Sequence, residues 1–244
     1  MSPDISVVIP AYNEAALIRG TVGALLVARR RLAAAHGASC EIIVVDNGSI
    51  DGTTEAVEAL RRKDTAVRLV RCEAKGAARA RNFGASVAVG RTLVFVDADT
   101  WIAPDGLSIV HGHALEGRRL AGIARLDQLD GGLRAWCWWT FWGLVRLLPI
   151  AKAKAMPALM FCTREAFDRF GPFDEAVAIG EEWPILAGAY RADPANVVYD
   201  RRLQGRTSSR RMEKQVLGYT RTFAKWAWAV CALQGRISYD DLIR

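Results

Sequence analysis

The stretch that most constrains this chain is Leu93-Val94-Phe95-Val96-Asp97-Ala98-Asp99-Thr100. Four apolar, strand-favouring residues run directly into two carboxylates spaced one apart. An apolar run without polar alternation predicts a strand covered on both faces, as in a parallel sheet between helices. Open α/β sheets bind their ligands just past the carboxyl ends of the strands, where Asp97 and Asp99 fall. Two carboxylates there make a hard oxygen site suited to Mg²⁺ or Mn²⁺, with water and phosphate oxygens completing the shell. Asp97 could equally end the strand and Asp99 cap a turn, so the pair alone leaves both roles open.

The residues before this run repeat the same design. Ile5-Ser6-Val7-Val8-Ile9 reads as a first strand stopped by Pro10. Asn13 is then expected to cap a helix running to about Ala35 and stopped by Gly37, with Glu14 in its first turn. Glu41 to Val45 reads as a second strand ending on Asp46-Asn47-Gly48-Ser49, followed by a helix from about Thr53 to Arg62. Val67 to Val70 is a third strand, and the stretch from Lys75 to Gly84 opens the next helix. Strand and helix thus alternate with tight connections, which predicts a parallel sheet with helices on both faces. All three polar strand ends then share one edge: Tyr12 and its neighbours, Asp46-Asn47, and Asp97 with Asp99. Lys75, Arg79 and Arg81 add positive charge near that edge. The set suits a nucleotide held at its base and ribose, with its diphosphate near a metal. Neither G-x-x-x-x-G-K-[ST] nor G-x-G-x-x-G occurs, so metal and basic side chains are left to hold the phosphates.

Composition narrows the partners. The 244 residues carry 33 Lys plus Arg against 26 Asp plus Glu, a net +7 that favours anionic ligands or surfaces. With 51% hydrophobic residues the chain is globular rather than disordered. The five cysteines form no C-x-x-C pair, and they read as free thiols of a reducing, cytoplasmic compartment. The expectation is no signal peptide and no apolar run long enough to span a bilayer.

Four ordered segments resemble the family-2 inverting glycosyltransferases. They are Val7-Val8-Ile9-Pro10-Ala11-Tyr12-Asn13-Glu14, Val44 to Thr53, Arg79-Ala80-Arg81-Asn82-Phe83-Gly84 and Val96-Asp97-Ala98-Asp99. The resemblance implies the A-type glycosyltransferase fold. Its nucleotide-binding half is Rossmann-like, with a mainly parallel sheet flanked by helices, and is fused to a smaller acceptor-side half. On that reading residues 1 to about 126 form the donor half and about 127 to 244 the acceptor half of one domain. The resemblance further implies a nucleotide-sugar donor and a divalent metal, Mn²⁺ or Mg²⁺. Pro10, Tyr12 and Asp46 would contact the nucleoside, Asp97 would lie near the ribose and metal, and Asp99 would bind the metal. Glu14, Asn47, Lys75 and Arg81 complete the expected donor contacts. Many family members carry Asp-Asp where this chain has Asp46-Asn47.

The later half is read in the same terms. Pro104 begins a helix to about Glu116, and Leu120 to Leu126 suggests a strand. His111 and His113, two apart on that helix, face different ways and read as surface or packing residues. Trp136, Trp138, Trp139 and Trp142 crowd one short apolar stretch flanked by Lys152 and Lys154. A core helix, a dimer face and an interfacial segment on an anionic membrane all fit it, and the last would suit a lipid-linked acceptor. Trp226 and Trp228 mark a second aromatic region. Ala158 to Cys162 reads as a strand, and Thr163 as the cap of a short helix ended by Gly171-Pro172. Gly180-Glu181-Glu182-Trp183-Pro184 resembles the family's motif whose second acid is the catalytic base, here Glu182. The same two acids also suit a helix N-terminus. Arg201 to Arg211 is a charge run that usually means a solvated loop. Its Thr-Ser-x-Arg-Arg part, with Arg210 and Arg211, resembles a late family segment that closes over the donor pyrophosphate. Two other readings are weaker. A sugar-phosphate nucleotidyltransferase would need a Gly-rich loop after the first strand. A membrane- or RNA-binding protein without catalysis would need aromatics interleaved with the basic residues, which here are separate; no nucleic-acid partner is expected.

Overall fold

The structure, a computed structural model, describes residues 3–115, 117, 119–133, 135–137, 139–140, 158–177 and 180–210. The elements in order are β1 (Ile5–Ala11), α1 (Ile18–His36), β2 (Cys40–Asp46), α2 (Thr53–Arg61), β3 (Val67–Arg71), α3 (Ala77–Val87) and β4 (Thr92–Val96). Next come β5 (Thr100–Ile102), α4 (Gly106–Leu115), β6 (Ala121–Gln128), β7 (Leu159–Thr163), α5 (Arg164–Phe170), α6 (Trp183–Ala192), a short 3-10 turn (Pro194–Asn196) and β8 (Val197–Thr207).

Eight strands form one sheet in the order β3-β2-β1-β4-β7-β6-β8-β5. β3, β2, β1 and β4 run parallel, β7 is antiparallel to β4 and to β6, and β8 runs parallel to β6. The chain leaves β1 toward β2 and β3, then returns to place β4 on the other side of β1. That reversal is a switch point at the carboxyl ends of β1 and β4, the place where open α/β sheets bind ligands.

The strand residues alternate between two cores. Val7, Ile9, Ile42, Val44, Val94 and Val96 pack with α1 and α4 on one face. Val8, Ile43, Val45, Leu93 and Phe95 pack with α3, α5 and α6 on the other. Both faces are covered, which is why the central residues of β1, β2 and β4 are apolar on both sides. α1 buries Ile18, Val22, Leu25 and Leu32 along one stripe. Each such side chain removed from water is worth about 1.5–3 kcal/mol. α3 lies close on β1 and β2 because Gly84 has no side chain; a Cβ there would sit 2.3 Å from Val8 Cγ1.

Several expected boundaries shift. Pro10 does not stop β1; it lies inside the strand opposite Val45. The β1–β4 ladder has already ended at Val8–Phe95, so β1 is an edge on that side, where proline is tolerated. Asn13 does not cap α1, which starts at Ile18 after Leu17 without a side-chain cap. Asn13 instead takes a left-handed turn at φ 55 and reaches across to the β2–α2 loop. Its N–H donates to Ser49 Oγ at 3.0 Å and its Oδ1 accepts from Ile50 N–H at 2.9 Å. The turn after β1 is therefore laced to the one after β2. Gly37 does end α1, and Thr163 does cap α5 by accepting from Ala166 N–H at 3.1 Å. The charge run from Arg201 is strand β8 up to Thr207, not a loop. The second aromatic region at Trp226 lies outside the described residues.

Candidate active site

Asp46 ends β2, and Asp97 and Asp99 follow β4; β1 lies between, so these carboxylates stand about two strand spacings, or 10 Å, apart along one edge. Tyr12, just past β1, is 49% exposed and has Lys75 Nζ 6.0 Å above its ring. Pro10 is half-buried beneath the same edge. Asp46 is buried and accepts from Ser49 N–H and from Thr54 Oγ1, both at 3.0 Å. Asn47 is buried too, and its amide is engaged with the chain itself. It donates to Cys72 O at 3.0 Å and Ala74 O at 2.7 Å, and accepts from Gly76 N–H at 2.8 Å. It therefore fixes the loop before α3. Glu14 is buried in an ion pair with Arg210. Arg211 lies outside the described residues.

Asp97 and Asp99 differ in surroundings. Asp97 keeps a third of its side chain exposed and accepts from Arg81 Nη2 at 2.5 Å. Asp99 is 9% exposed; its Oδ1 lies 3.4 Å from Thr207 Oγ1, and its backbone carbonyl accepts from Ser208 N–H at 3.1 Å. β8 thus delivers its last residues beside the second aspartate. Ser208 Oγ and Ser209 N–H both donate to Asp130, at 2.7 and 2.6 Å, and hold the segment there. Among the described residues no three His, Cys, Asp or Glu side chains gather in a metal-binding group. The chain offers two hard carboxylates at this turn, a donor set that fits a divalent ion whose other positions go to phosphate and water.

A second acidic pair comes in with residues 173–177 and 180–182. Phe173 is buried edge-on against Phe95 of β4, with ring centres 4.7 Å apart. Gly180 turns the chain at φ 84, and Glu181 and Glu182 follow at the N-terminus of α6 with Pro184 in its first turn. Arg81 reaches from α3 to both sides. One nitrogen binds Asp97, and Nη1 donates to Glu181 Oε1 at 2.7 Å. The guanidinium is 2% exposed, not spread over an open edge. Burial works against its charge, but Asp97 and Glu181 more than offset this and raise its pKa. Removing one partner from such a buried cluster typically costs about 3–5 kcal/mol.

Glu181 and Glu182 are adjacent yet unlike. Glu181 is anchored by Arg81; burial raises its carboxyl above the ordinary value. Glu182 is 2% exposed, and its Oε2 has no hydrogen-bond partner among the described residues. Burial, and then the negative charge of Glu181, push its carboxyl up to about 8. A carboxyl in that range takes and returns a proton near neutral pH, which is the requirement for a general base.

Sequence reasoning missed several contributors. Asn82 sat inside a recognised motif without a role; it binds Phe173 through both backbone groups. Asp130 and Thr207 carried no signal beyond their polarity. His113, read as a packing residue, stacks on Phe161 and binds Asp200 Oδ2 at 2.8 Å. Trp139 is buried, with its indole N–H donating to Ser209 Oγ at 3.0 Å, so this ring is not available to a membrane. Trp136 is 55% exposed, and Trp138 and Trp142 lie outside the described residues.

The sheet, covered on both faces, thus carries carboxylates at its switch point, and Arg81 links one of them to a second acidic pair at the start of α6. The family model for glycosyl transferase family 2 matches residues 6–167, and the chain belongs to that family. The succinoglycan biosynthesis protein ExoO of Rhizobium meliloti is 30% identical over 205 residues, covering 77% of this chain and 56% of its own. The glycosyltransferase AglE of Haloferax volcanii is 28% identical over 185 residues, covering 73% of this chain and 58% of its own. The chain thus spans little more than half the length of these two relatives. Among solved structures, the mannosyltransferase PcManGT of Pyrobaculum calidifontis, in complex with GDP-Man and Mn²⁺, superposes with a TM-score of 0.63 at 21% identity. It covers 91% of this chain and 61% of its own. The glucosyl-3-phosphoglycerate synthase of Mycobacterium tuberculosis, with Mn²⁺, UDP and phosphoglyceric acid, gives 0.63 at 20% identity, covering 94% and 79%. These likenesses show the fold.

Proposed function

We propose that this chain is the catalytic domain of an inverting glycosyltransferase that moves a sugar from a nucleotide-sugar donor to an acceptor hydroxyl. The observation that carries the reading is the buried guanidinium of Arg81, which binds Asp97 on the donor side and Glu181 on the other. It sets Glu182, the next residue, beside the donor carboxylates. A direct displacement needs such an arrangement: leaving group on one side, base on the other.

Each residue then has a task. Tyr12 and Asp46 receive the nucleoside over the floor made by Pro10, and Asn47 holds the loop that presents Lys75. Asp97 and Asp99 would hold a divalent cation, Mn²⁺ or Mg²⁺, which when bound neutralises charge on the departing nucleoside diphosphate. Arg210, now paired with buried Glu14, lies in the segment docked beside Asp99 and supplies a guanidinium suited to phosphate oxygens. Glu182 takes the proton from the acceptor hydroxyl as that oxygen attacks the anomeric carbon. The buried carboxyl is costly to ionise in the resting protein and becomes a strong acceptor once ionised. A nucleotidyltransferase is disfavoured because β1 runs into Pro10-Ala11-Tyr12-Asn13-Glu14 rather than a glycine-rich loop.

No helix among the described residues is long and apolar enough to cross a membrane. Leu133 and Trp136 are exposed side by side on the stretch around residues 133–140, at 76% and 55%. With the net charge of +7 they support a peripheral contact with an anionic cytoplasmic leaflet and a lipid-linked acceptor. The test of the function is a screen of nucleotide sugars for donor hydrolysis with Mn²⁺, followed by transfer with the active donor. Turnover of at least one nucleotide sugar supports the reading. Lack of both binding and hydrolysis across uridine, guanosine, cytidine and thymidine donors would overturn it.

A further inference from the structure

Arg81 and Asn82 are neighbours on α3, and both hold the segment 173–182 by different chemistry. Asn82 Oδ1 accepts from Phe173 N–H at 2.9 Å, while its Nδ2 donates to Phe173 O at 3.0 Å and to Glu175 Oε1 at 2.9 Å. Arg81 binds Glu181 at the far end of the same segment. Asp174 N–H donates to Glu181 O at 2.9 Å and draws the two ends together. The segment is thus pinned at both ends to one helix of the donor half.

The other arm of Arg81 holds Asp97. A guanidinium is a rigid planar fork, so its two outer nitrogens fix the directions of both carboxylates together. A ligand that draws on Asp97 must change one arm, and the plane passes that change to Glu181 and, through one peptide bond, to Glu182. At 2% exposure Arg81 has no surface to offer a phosphate directly. It acts through the acids it binds.

We propose that Arg81 and Asn82 are positioning residues that couple Asp97 at the donor edge to the residues presenting Glu182, so that filling the donor edge steadies Phe173 to Glu175 and Glu181 to Glu182. This rests on the reading of that edge as a nucleotide site.

Hydrogen–deuterium exchange on the full chain tests it in two arms. Without ligand, Arg81→Lys and Asn82→Ala are expected to exchange the 173–182 peptide at least about tenfold faster than wild type, with the β1 and β2 peptides unchanged. Wild-type exchange of that peptide in both variants would overturn the proposal. Asn82→Ala removes no charge, so it carries the result if Arg81→Lys does not fold. In the second arm the probes are UDP and GDP with Mn²⁺, with binding followed by calorimetry. Wild type is expected to slow exchange at 173–182 when nucleotide binds. Arg81→Lys is expected to bind within about tenfold of wild type yet show no such slowing. Equal slowing in the two proteins would overturn the coupling. Failure of wild type to bind either nucleotide would strike the donor reading, while the ligand-free arm still decides whether the pair positions the segment.

Discussion

Glu182→Gln separates catalysis from binding most sharply. Glutamine keeps the shape of the side chain and removes the basic lone pair. The carboxylate is asked to accept a proton only as the acceptor attacks, so its loss should appear in turnover and not in donor affinity. General-base contributions of about a hundredfold or more correspond to at least about 2.7 kcal/mol of barrier. The pH profile gives a second signature. Burial and the charge of Glu181 hold the Glu182 carboxyl at about 8, far above its ordinary 4.5. At pH 7 roughly one tenth of the protein therefore carries the active carboxylate. In wild type kcat/KM should rise about tenfold per pH unit up to about pH 8 and then level off. The residual rate of the variant should lack that limb. Stability has the opposite sign. Between about 4.5 and 8 the unfolded chain gives up this proton and the folded one keeps it, so wild-type stability falls as pH rises through that window. Glutamine removes that titration, so the variant's stability should lose this fall. The assay is initial-rate transfer from pH 5.5 to 9, with calorimetric donor binding and thermal melts on the same samples. A variant that transfers at the wild-type rate, or a dead Glu181→Gln beside an active Glu182→Gln, would refute the assignment.

Other expectations concern the scaffold and the surface. Asn47→Ala strips three hydrogen bonds from the loop before α3 and should cost about 1–3 kcal/mol in urea unfolding, with weakened nucleotide binding as a consequence. The Arg202 guanidinium beside Asp200 holds its carboxyl well below the ordinary 3.8. That stability is present above about pH 4 and is lost as pH falls further, so Asp200→Asn should be less stable than wild type at pH 7 and the gap should narrow at pH 3. Trp136→Ala should reduce co-sedimentation with vesicles containing anionic phosphatidylglycerol. Equal sedimentation of wild type and variant would remove this ring from any membrane contact.

The strand-helix alternation from β1 to β4 was readable because the doubly covered strands β1, β2 and β4 carry apolar runs at their centres. What came after was harder for identifiable reasons. β8 points Asp200, Leu203, Gly205 and Thr207 inward, and Arg201, Arg202, Gln204 and Arg206 outward. The alternation of period two holds only from Leu203 to Thr207; before it Arg201 and Arg202 are both outward at a register shift, and most inward residues are small or polar, so the arginines dominate the pattern. Asn13 has the composition of a helix cap and was diverted by a partner 36 residues away, which no local rule contains. Of the candidate site, Asp46, Asp97 and Asp99 were legible as residue types at strand ends, and Glu181 and Glu182 as an acidic pair at a helix start. Which of them face one another was not, because Arg81 meets Glu181 across 100 residues of chain. The basic residues misled in one respect. Arg81 and Arg79 suggested a phosphate surface, whereas Arg81 is buried between carboxylates and Arg79 pairs with Glu175.

The central claim is that the edge carrying Asp46, Asp97 and Asp99 binds a nucleoside diphosphate with a divalent cation. Calorimetric titration of UDP and GDP into wild type and Asp99→Asn, each with Mn²⁺ and with chelator, tests it most directly. Asp99→Asn keeps the size and the contact toward Thr207 but removes one anionic ligand. Wild type should bind at least one nucleotide in Mn²⁺ and lose most of that affinity in chelator. Asp99→Asn should bind at least about tenfold more weakly in Mn²⁺ and equal wild type in chelator. Metal-dependent binding of equal strength in the two proteins, or no nucleotide binding by wild type under any condition, would contradict it.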